Sequence, residues 1–237
     1  MDDHTLAATL AEEAGELLLS IRELGGRVGD ERSNRLLLDR LAELRPADAV
    51  LSEESPDDPA RTQHSRVWIV DPLDGTREFG EPGRPDWAVH VALAVDGEPV
   101  AGAVALPAMG SVLHTGRPPV LAAPPPPGTV RVALSRSRPS FEVRQLVARL
   151  SATEVPMGSA GAKAMAVVRG EADIYAHSGG QYEWDSCAPV AVAAAAGLHV
   201  SRLDGSPLRY NRPDPYLPDL IICRPELAEI ALKALSE

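Results

Sequence analysis

The segment Trp68-Ile69-Val70-Asp71-Pro72-Leu73-Asp74-Gly75-Thr76 constrains this chain more than any other: an apolar strand runs directly into two carboxylates, a turn and a hydroxyl. Residues 66–70 are apolar at nearly every position, which marks a strand buried on both faces. The carboxyl end of such a strand is where open α/β folds place ligands. Pro72 fixes one φ and Asp74-Gly75 signals a turn, so the chain is expected to fold back here. That brings Asp71 and Asp74 towards one point, with the Leu73 carbonyl beside them, a set of hard oxygen donors suited to divalent cations. Residues 76–79 then read as a short helix whose free N–H groups, starting around Gly75 and Thr76, face a phosphate held by the same metals.

Further acids stand in comparable places. Glu53 and Glu54 follow the short apolar run 49–51, and Asp185 follows Trp184 at the start of the alanine-rich run 188–196. Singly, each has an ordinary reading: a turn, a solvated surface, a helix N-cap. Their conjunction points to a metal-dependent phosphatase.

Helical spacing of Leu6, Leu10, Ala14, Leu17, Leu18 and Ile21 predicts a first helix, ended by Gly25-Gly26. A second is expected over 31–44, with Leu37, Leu38, Leu41 and Leu44 inward and Asp30 as its cap. Strands are expected over 87–95 and 100–106 as a hairpin around Asp96-Gly97, then over 111–115 and 120–123. After a Pro-rich connector at 124–128 come strands over 129–135, 172–176, 198–202 and 220–223. Helices are expected over 141–150, 162–168, 185–196 and 225–235. The expected organisation is a helix pair on an antiparallel sheet (1–123) followed by an α/β lobe (129–237), that is, α+β then α/β.

The formal charge of −11 gives no basic stripe for a nucleic-acid polymer, and an anionic substrate would need the local positive field of bound metals. The two cysteines, Cys187 and Cys223, form no CxxC pair and suit a reducing cytoplasm; Cys187 reads as a small buried residue rather than a catalytic thiol. The acidic start Met1-Asp2-Asp3 is unlike a signal peptide, and the longest apolar run, 187–198, is too short to span a bilayer.

Glu53-Glu54, then Asp71-Pro72-Leu73-Asp74-Gly75-Thr76, then Trp184-Asp185-Ser186-Cys187-Ala188 resemble the three signature segments of the inositol monophosphatase and fructose-1,6-bisphosphatase superfamily of metal-dependent, lithium-sensitive phosphatases. Gly158-Ser159-Ala160-Gly161-Ala162-Lys163 and residues 203–211 look most like its CysQ type, the 3′-phosphoadenosine 5′-phosphate phosphatases, particularly actinobacterial ones. The resemblance implies a layered αβαβα sandwich. It implies Glu53, Asp71, the Leu73 carbonyl, Asp74 and Asp185 as ligands of two or three magnesium ions, replaceable by manganese and antagonised by lithium. Asp30 and Thr76 would activate the water. Substrate contacts would come from Gly75, Thr76, Ser135, Arg136, Arg138, Gly161, Lys163 and Asp185, although the family places histidine where this chain has Arg138. The implied reaction removes the 3′-phosphate of 3′-phosphoadenosine 5′-phosphate, and possible cleavage of its sulfated relative stays open. A homodimer is expected by analogy only.

Inositol-1-phosphate and fructose-1,6-bisphosphate remain alternative substrates. No acidic residue stands in the usual sugar-hydroxyl position before Trp184-Asp185 unless Glu183 reaches round. A glycosidase built on Glu53 and Glu54 is disfavoured because strand neighbours point to opposite faces. A non-enzymatic scaffold is disfavoured by the presence of Asp30 and Thr76 together with the ligands.

Overall fold

Alternate residues of the strand that carries Asp71 and Asp74 serve different cores: Val67 and Ile69 join one, Trp68 and Val70 another. A strand clad on both faces needs helices on both sides, and the architecture supplies them. The computed structural model describes residues 1–236 apart from Ala122, Pro125 and Pro127. Its first half comprises α1 (Asp3–Ile21), α2 (Gly26–Leu44), β1 (Ala49–Ser52), β2 (Arg66–Asp74), α3 (Thr76–Gly80), β3 (Ala88–Val95), β4 (Glu98–Leu106) and β5 (Ser111–His114). The strands pair in the order β1-β2-β3-β4-β5, parallel between β1 and β2 and antiparallel thereafter. The second half comprises β6 (Arg131–Ser135), α4 (Phe141–Arg149), β7 (Thr153–Met157), α5 (Ala160–Val168), β8 (Ile174–Tyr182), α6 (Glu183–Ala195), β9 (His199–Ser201), β10 (Tyr216–Cys223) and α7 (Ala228–Ser236). Its sheet order is β7-β6-β8-β10-β9, with β7 and β8 parallel to β6 and β10 antiparallel to both β8 and β9.

Three cores stack these elements. α1 and α2 cover the outer face of the first sheet through Leu6, Leu10, Leu18, Leu37 and Leu41. α5 and α6 lie between the sheets, so that Ala162, Val167, Ala188 and Val192 share one core with Ile69 and Val104 on one side and Tyr175 and Ile222 on the other. α4 and α7 close the far face through Val143, Leu146 and Ala231. The order of layers is αβαβα. The alanines of α5 and α6 let these helices pack closely on the sheets; a Cβ on Gly102 of β4 would meet Ala191 Cβ at 2.8 Å.

Several elements differ from the sequence expectation. α2 begins at Gly26, not at residue 31, so Asp30 lies inside the helix rather than capping it. The glycines that read as a terminator have another use. Gly25, at φ +83°, separates the two helices, and a Cβ on Gly26 would overlap Thr76, so α2 starts in contact with the turn after β2. The chain also does not fold back at Pro72. β2 runs on to Asp74 with a bulge, Asp71 pairing with His90 and Asp74 with Ala88, and it turns only at Gly75 (φ +89°). β7 was hidden by Pro156, which is tolerated because β7 is an edge strand. β8 starts at Ile174 and continues to Tyr182, past Gly179-Gly180. Val120, Leu121 and Ala123 form no strand; Ala122, and Pro125 and Pro127 of the connector, lie outside the described residues. No helix among the described residues is long and apolar enough to cross a membrane.

Candidate metal centre and active site

The bulge in β2 is what makes a site of two aspartates. Residues i and i+3 of a regular strand point to opposite faces; one extra residue restores the parity, so Asp71 and Asp74 face the same side. Asp71 is 1% exposed and Asp74 7%. Leu73 N–H donates to Asp71 Oδ1 at 3.1 Å, and Ser33 Oγ donates to the Pro72 carbonyl at 2.7 Å, which clamps the bulge onto α2.

Asp74 is held by the start of α5. Ser159 Oγ (2.5 Å) and Gly161 N–H (2.6 Å) donate to its Oδ2, and Ala160 N–H (3.2 Å) to Oδ1. His90 Nε2 is 3.1 Å from the same Oδ2, and His90 Nδ1 is 3.0 Å from the Trp184 carbonyl. Asp71, Asp74 and His90 offer donor atoms within 4.8 Å of one another. Reading the sequence missed His90. Its only local signal was one polar residue in the otherwise apolar β3, and its placement depends on the register that sets it opposite Asp71.

Glu53 follows β1, the parallel neighbour of β2, and its carboxyl turns inward towards Asp71 although the residue as a whole is exposed. Asp185 sits in the first turn of α6, where Oδ2 accepts the Tyr182 N–H at 2.7 Å. It thus acts in a capping box, not as the N-cap itself. The electrostatics register the convergence. Burial, then the Glu53, Asp74 and Asp185 carboxylates, drives Asp71 well above the ordinary carboxylate range. Burial and the neighbouring acids push Glu53 and Asp185 up to about 7. Asp74 goes the other way: burial raises it, but His90, Ser159 and Lys163 hold it at about 2. Burial disfavours charge on His90, yet Asp74 keeps its pKa above the ordinary value. Two buried carboxylates crowded by two further acids, with a carbonyl in the same turn, match the oxygen donor set of a hard divalent cation.

Asp30 and Thr76 meet, Thr76 Oγ lying 3.4 Å from Asp30 Oδ1 and 3.2 Å from the Leu73 carbonyl. Burial and the Glu54 carboxylate push Asp30 up to about 7. Gly75 could carry no side chain without crowding Ser159 and Trp87. Lys163 is 3% exposed; its ammonium donates to the Gly158 carbonyl and lies 5.5 Å from the centre of the Tyr175 ring. Burial lowers its pKa against the opposing pull of Asp74 and Asp185.

The expected cation group does not assemble. Arg136 is committed to Glu78 (2.6 Å) and Glu81 (2.6 Å) of the first half, which ties β6 to α3. Arg138 is exposed, its backbone N–H held by Ser135 Oγ at 3.2 Å. Glu183 does not reach round to a sugar, because its carboxylate accepts Asn211 N–H at 2.7 Å and Arg212 N–H at 2.9 Å. Cys187 and Cys223 are unpaired and buried, and burial pushes both thiols up, as a packing role requires.

Known proteins resemble this chain in sequence and in fold. The chain is 53% identical over 240 residues to a 3′-phosphoadenosine 5′-phosphate phosphatase of Mycobacterium bovis, covering 95% of this chain and 90% of that one. It is 33% identical over 209 residues to the 3′(2′),5′-bisphosphate nucleotidase CysQ of Escherichia coli, covering 79% and 80%. The crystal structure of CysQ from Bacteroides thetaiotaomicron superposes with a TM-score of 0.79 at 27% identity, over 92% of this chain and 96% of that one. Residues 27–237 match the model of the inositol monophosphatase family. With the layered fold, the acidic bulge and these likenesses in agreement, the chain belongs to the inositol monophosphatase family.

Proposed function

We propose that this protein hydrolyses the 3′-phosphate of 3′-phosphoadenosine 5′-phosphate, releasing adenosine 5′-phosphate and phosphate, with magnesium as its cofactor. The observation that carries the reading is the pair of buried carboxylates Asp71 and Asp74, with the carboxyls of Glu53 and Asp185 near enough to raise Asp71, in a chain half identical to phosphatases of that name. Glu53, Asp71, Asp74, Asp185 and the Leu73 carbonyl would hold the ions. Divalent cations there would acidify a bound water and neutralise charge developing on the phosphoryl and leaving oxygens.

The chain's own groups do the rest. Thr76 presents its hydroxyl to the attacking water, and Asp30, which lies 3.4 Å from that hydroxyl, takes up the proton passed through Thr76. The N–H groups that open α3 face the phosphate. Lys163, buried and in electrostatic reach of Asp74 and Asp185, adds positive charge to the site. Commitment of Glu183 to Asn211 and Arg212 removes the carboxylate that recognition of inositol hydroxyls would use, which favours the nucleotide over inositol-1-phosphate.

The test is phosphate release with magnesium from a panel of 3′-phosphoadenosine 5′-phosphate, its sulfated relative, inositol-1-phosphate and fructose-1,6-bisphosphate. The nucleotide is expected to have the highest kcat/KM. Lithium, close to magnesium in size but with half its charge, is expected to inhibit where sodium and potassium do not. A higher kcat/KM for inositol-1-phosphate, or equal activity in chelator, would overturn the assignment.

A further inference from the structure

The chain has few aromatic residues, with four tyrosines, three tryptophans and two phenylalanines. Three of them gather in one patch: Tyr182 at the end of β8, Trp184 at the start of α6, and Tyr216 at the start of β10, directly opposite Tyr182 in the sheet. Tyr182 lies parallel to Trp184, with ring centres 4.8 Å apart and planes at 8°. Tyr216 stands against Tyr182 at 82° and 5.8 Å. Tyr182 and Tyr216 each keep 41% of their surface exposed, whereas Trp68, Trp87, Tyr175 and Phe79 are buried.

Two features place this patch at the reaction centre. Tyr182 N–H donates to the carboxylate of Asp185 at 2.7 Å, and the Trp184 carbonyl is 3.0 Å from His90, which contacts Asp74. The rings are also fixed in advance. Tyr216 Oη accepts the Gly180 N–H at 3.2 Å, and Trp184 backs Tyr182 while packing into the central core. Tyr216 further forms one wall of a cleft of about 220 Å³ bordered by Arg202, Arg209 and Arg212. Arg202 is paired with Asp219 and Arg209 with Glu98; Arg212 has no ion pair among the described residues. Asp214 lines the same cleft, where its Oδ1 accepts the Tyr216 N–H at 3.0 Å, so three arginines outnumber one acid there. A right-angled aromatic corner beside a mainly basic cleft suits a flat heterocycle attached to an anion.

We propose that the Tyr182–Tyr216 corner is a nucleobase subsite. It stacks the adenine of a 3′-phosphorylated nucleotide whose phosphate lies at the carboxylate cluster beside Asp185, and it sets the preference for nucleotides over base-free sugar phosphates. This rests on the nucleotide reading above. In a nucleotide the base and the 3′-phosphate are separated by one ribose ring, and the patch begins three residues before Asp185. Pre-stacked rings lose little freedom when a third ring joins them.

The experiment compares wild type, Tyr182→Ala, Tyr216→Ala and Tyr182→Phe on 3′-phosphoadenosine 5′-phosphate, on a ribose 3,5-bisphosphate lacking the base, and on inositol-1-phosphate. Loss of one stacking partner is expected to raise KM for the nucleotide about tenfold, within the range for base–aromatic stacking. The base-free compounds should change less than about twofold, because they carry no ring to stack. Tyr182→Phe should retain the wild-type KM, since the ring face is kept. If Tyr182→Ala fails to fold, Tyr216→Ala on the neighbouring strand carries the same expectation. A nucleotide KM unchanged in every alanine variant that folds, or an equal rise for base-free compounds, overturns the subsite while leaving the nucleotide activity standing. A wild-type enzyme that turns over only the base-free compounds removes the nucleotide reading and the subsite with it.

Discussion

Gly161→Ala is expected to damage the site through His90 and without touching any charged group. A methyl on residue 161 would come within 3.1 Å of Ala88 Cβ and His90 Cδ2, and nearer still to His90 Nε2. His90 is fully buried, with Trp184 on one ring nitrogen and Asp74 on the other, so it has nowhere to go. The start of α5 must therefore retreat by about 1 Å to restore ordinary contact distances. The same shift stretches the Gly161 N–H bond to Asp74, now 2.6 Å, to about 3.6 Å, beyond the hydrogen-bonding range. Overpacking of this kind typically costs 1–3 kcal/mol, and about 2 kcal/mol corresponds to a Tm about 4–8 °C lower in a chain of this size. Because Asp74 loses a fixed donor, the magnesium concentration for half-maximal activity should also rise. Thermal unfolding in chelator and a magnesium titration of activity measure the two effects. The double variant His90→Ala/Gly161→Ala should recover part of the Tm lost to Gly161→Ala, since the new methyl fills the space of the ring. A Gly161→Ala protein with wild-type Tm and wild-type magnesium dependence would refute the close packing of Gly161 on His90 as a determinant of the site.

Thr76→Ala should lower kcat by about 100-fold or more with KM changed by less than about threefold in steady-state assays, because the hydroxyl acts on the water and not on the substrate. Arg136→Ala should lower Tm by about 4–8 °C, roughly 2 kcal/mol, by leaving Glu78 buried and unpaired. The KM for the nucleotide should stay close to wild type; a large rise in KM with Tm unchanged would instead make Arg136 a phosphate contact. In the metal-free protein, Asp30, Glu53 and Asp185 keep their protons up to about 7 when folded. Unfolded, the same carboxyls release them near 4. Their contribution to stability is thus complete below about pH 4 and lost as the pH rises through about 7. Tm in chelator should be higher at pH 5.5 than at pH 8, and magnesium should close the gap by stabilising the charged carboxylates; a Tm that rises towards pH 8 in chelator would contradict this.

What the sequence determined by itself was chemistry carried by contiguous residues. The apolar run ending in Asp71-Pro72-Leu73-Asp74-Gly75 announced a buried strand with acids at its carboxyl end, and the periodicity of Leu6, Leu10, Leu18 and Ile21 announced α1. Trp184-Asp185 ahead of an alanine-rich run marked the start of α6. These signals are local because strand burial, helix amphipathicity and capping are decided within a few residues. The tertiary structure decided everything that depends on register and long-range approach. It turned Asp71 and Asp74 to one face through a bulge that only pairing with β3 reveals, and it set His90 across from them. It extended α2 back to Gly26, against the low helix propensity of its glycines, because Thr76 packs where a side chain would stand. It also took Arg136 away from the expected cation group, since Glu78 and Glu81 lie within 2.6 Å of its guanidinium. An arginine's partner is chosen by proximity in space, and sequences of unlike spacing bring different acids to the same guanidinium; no pattern of neighbouring residues encodes that choice.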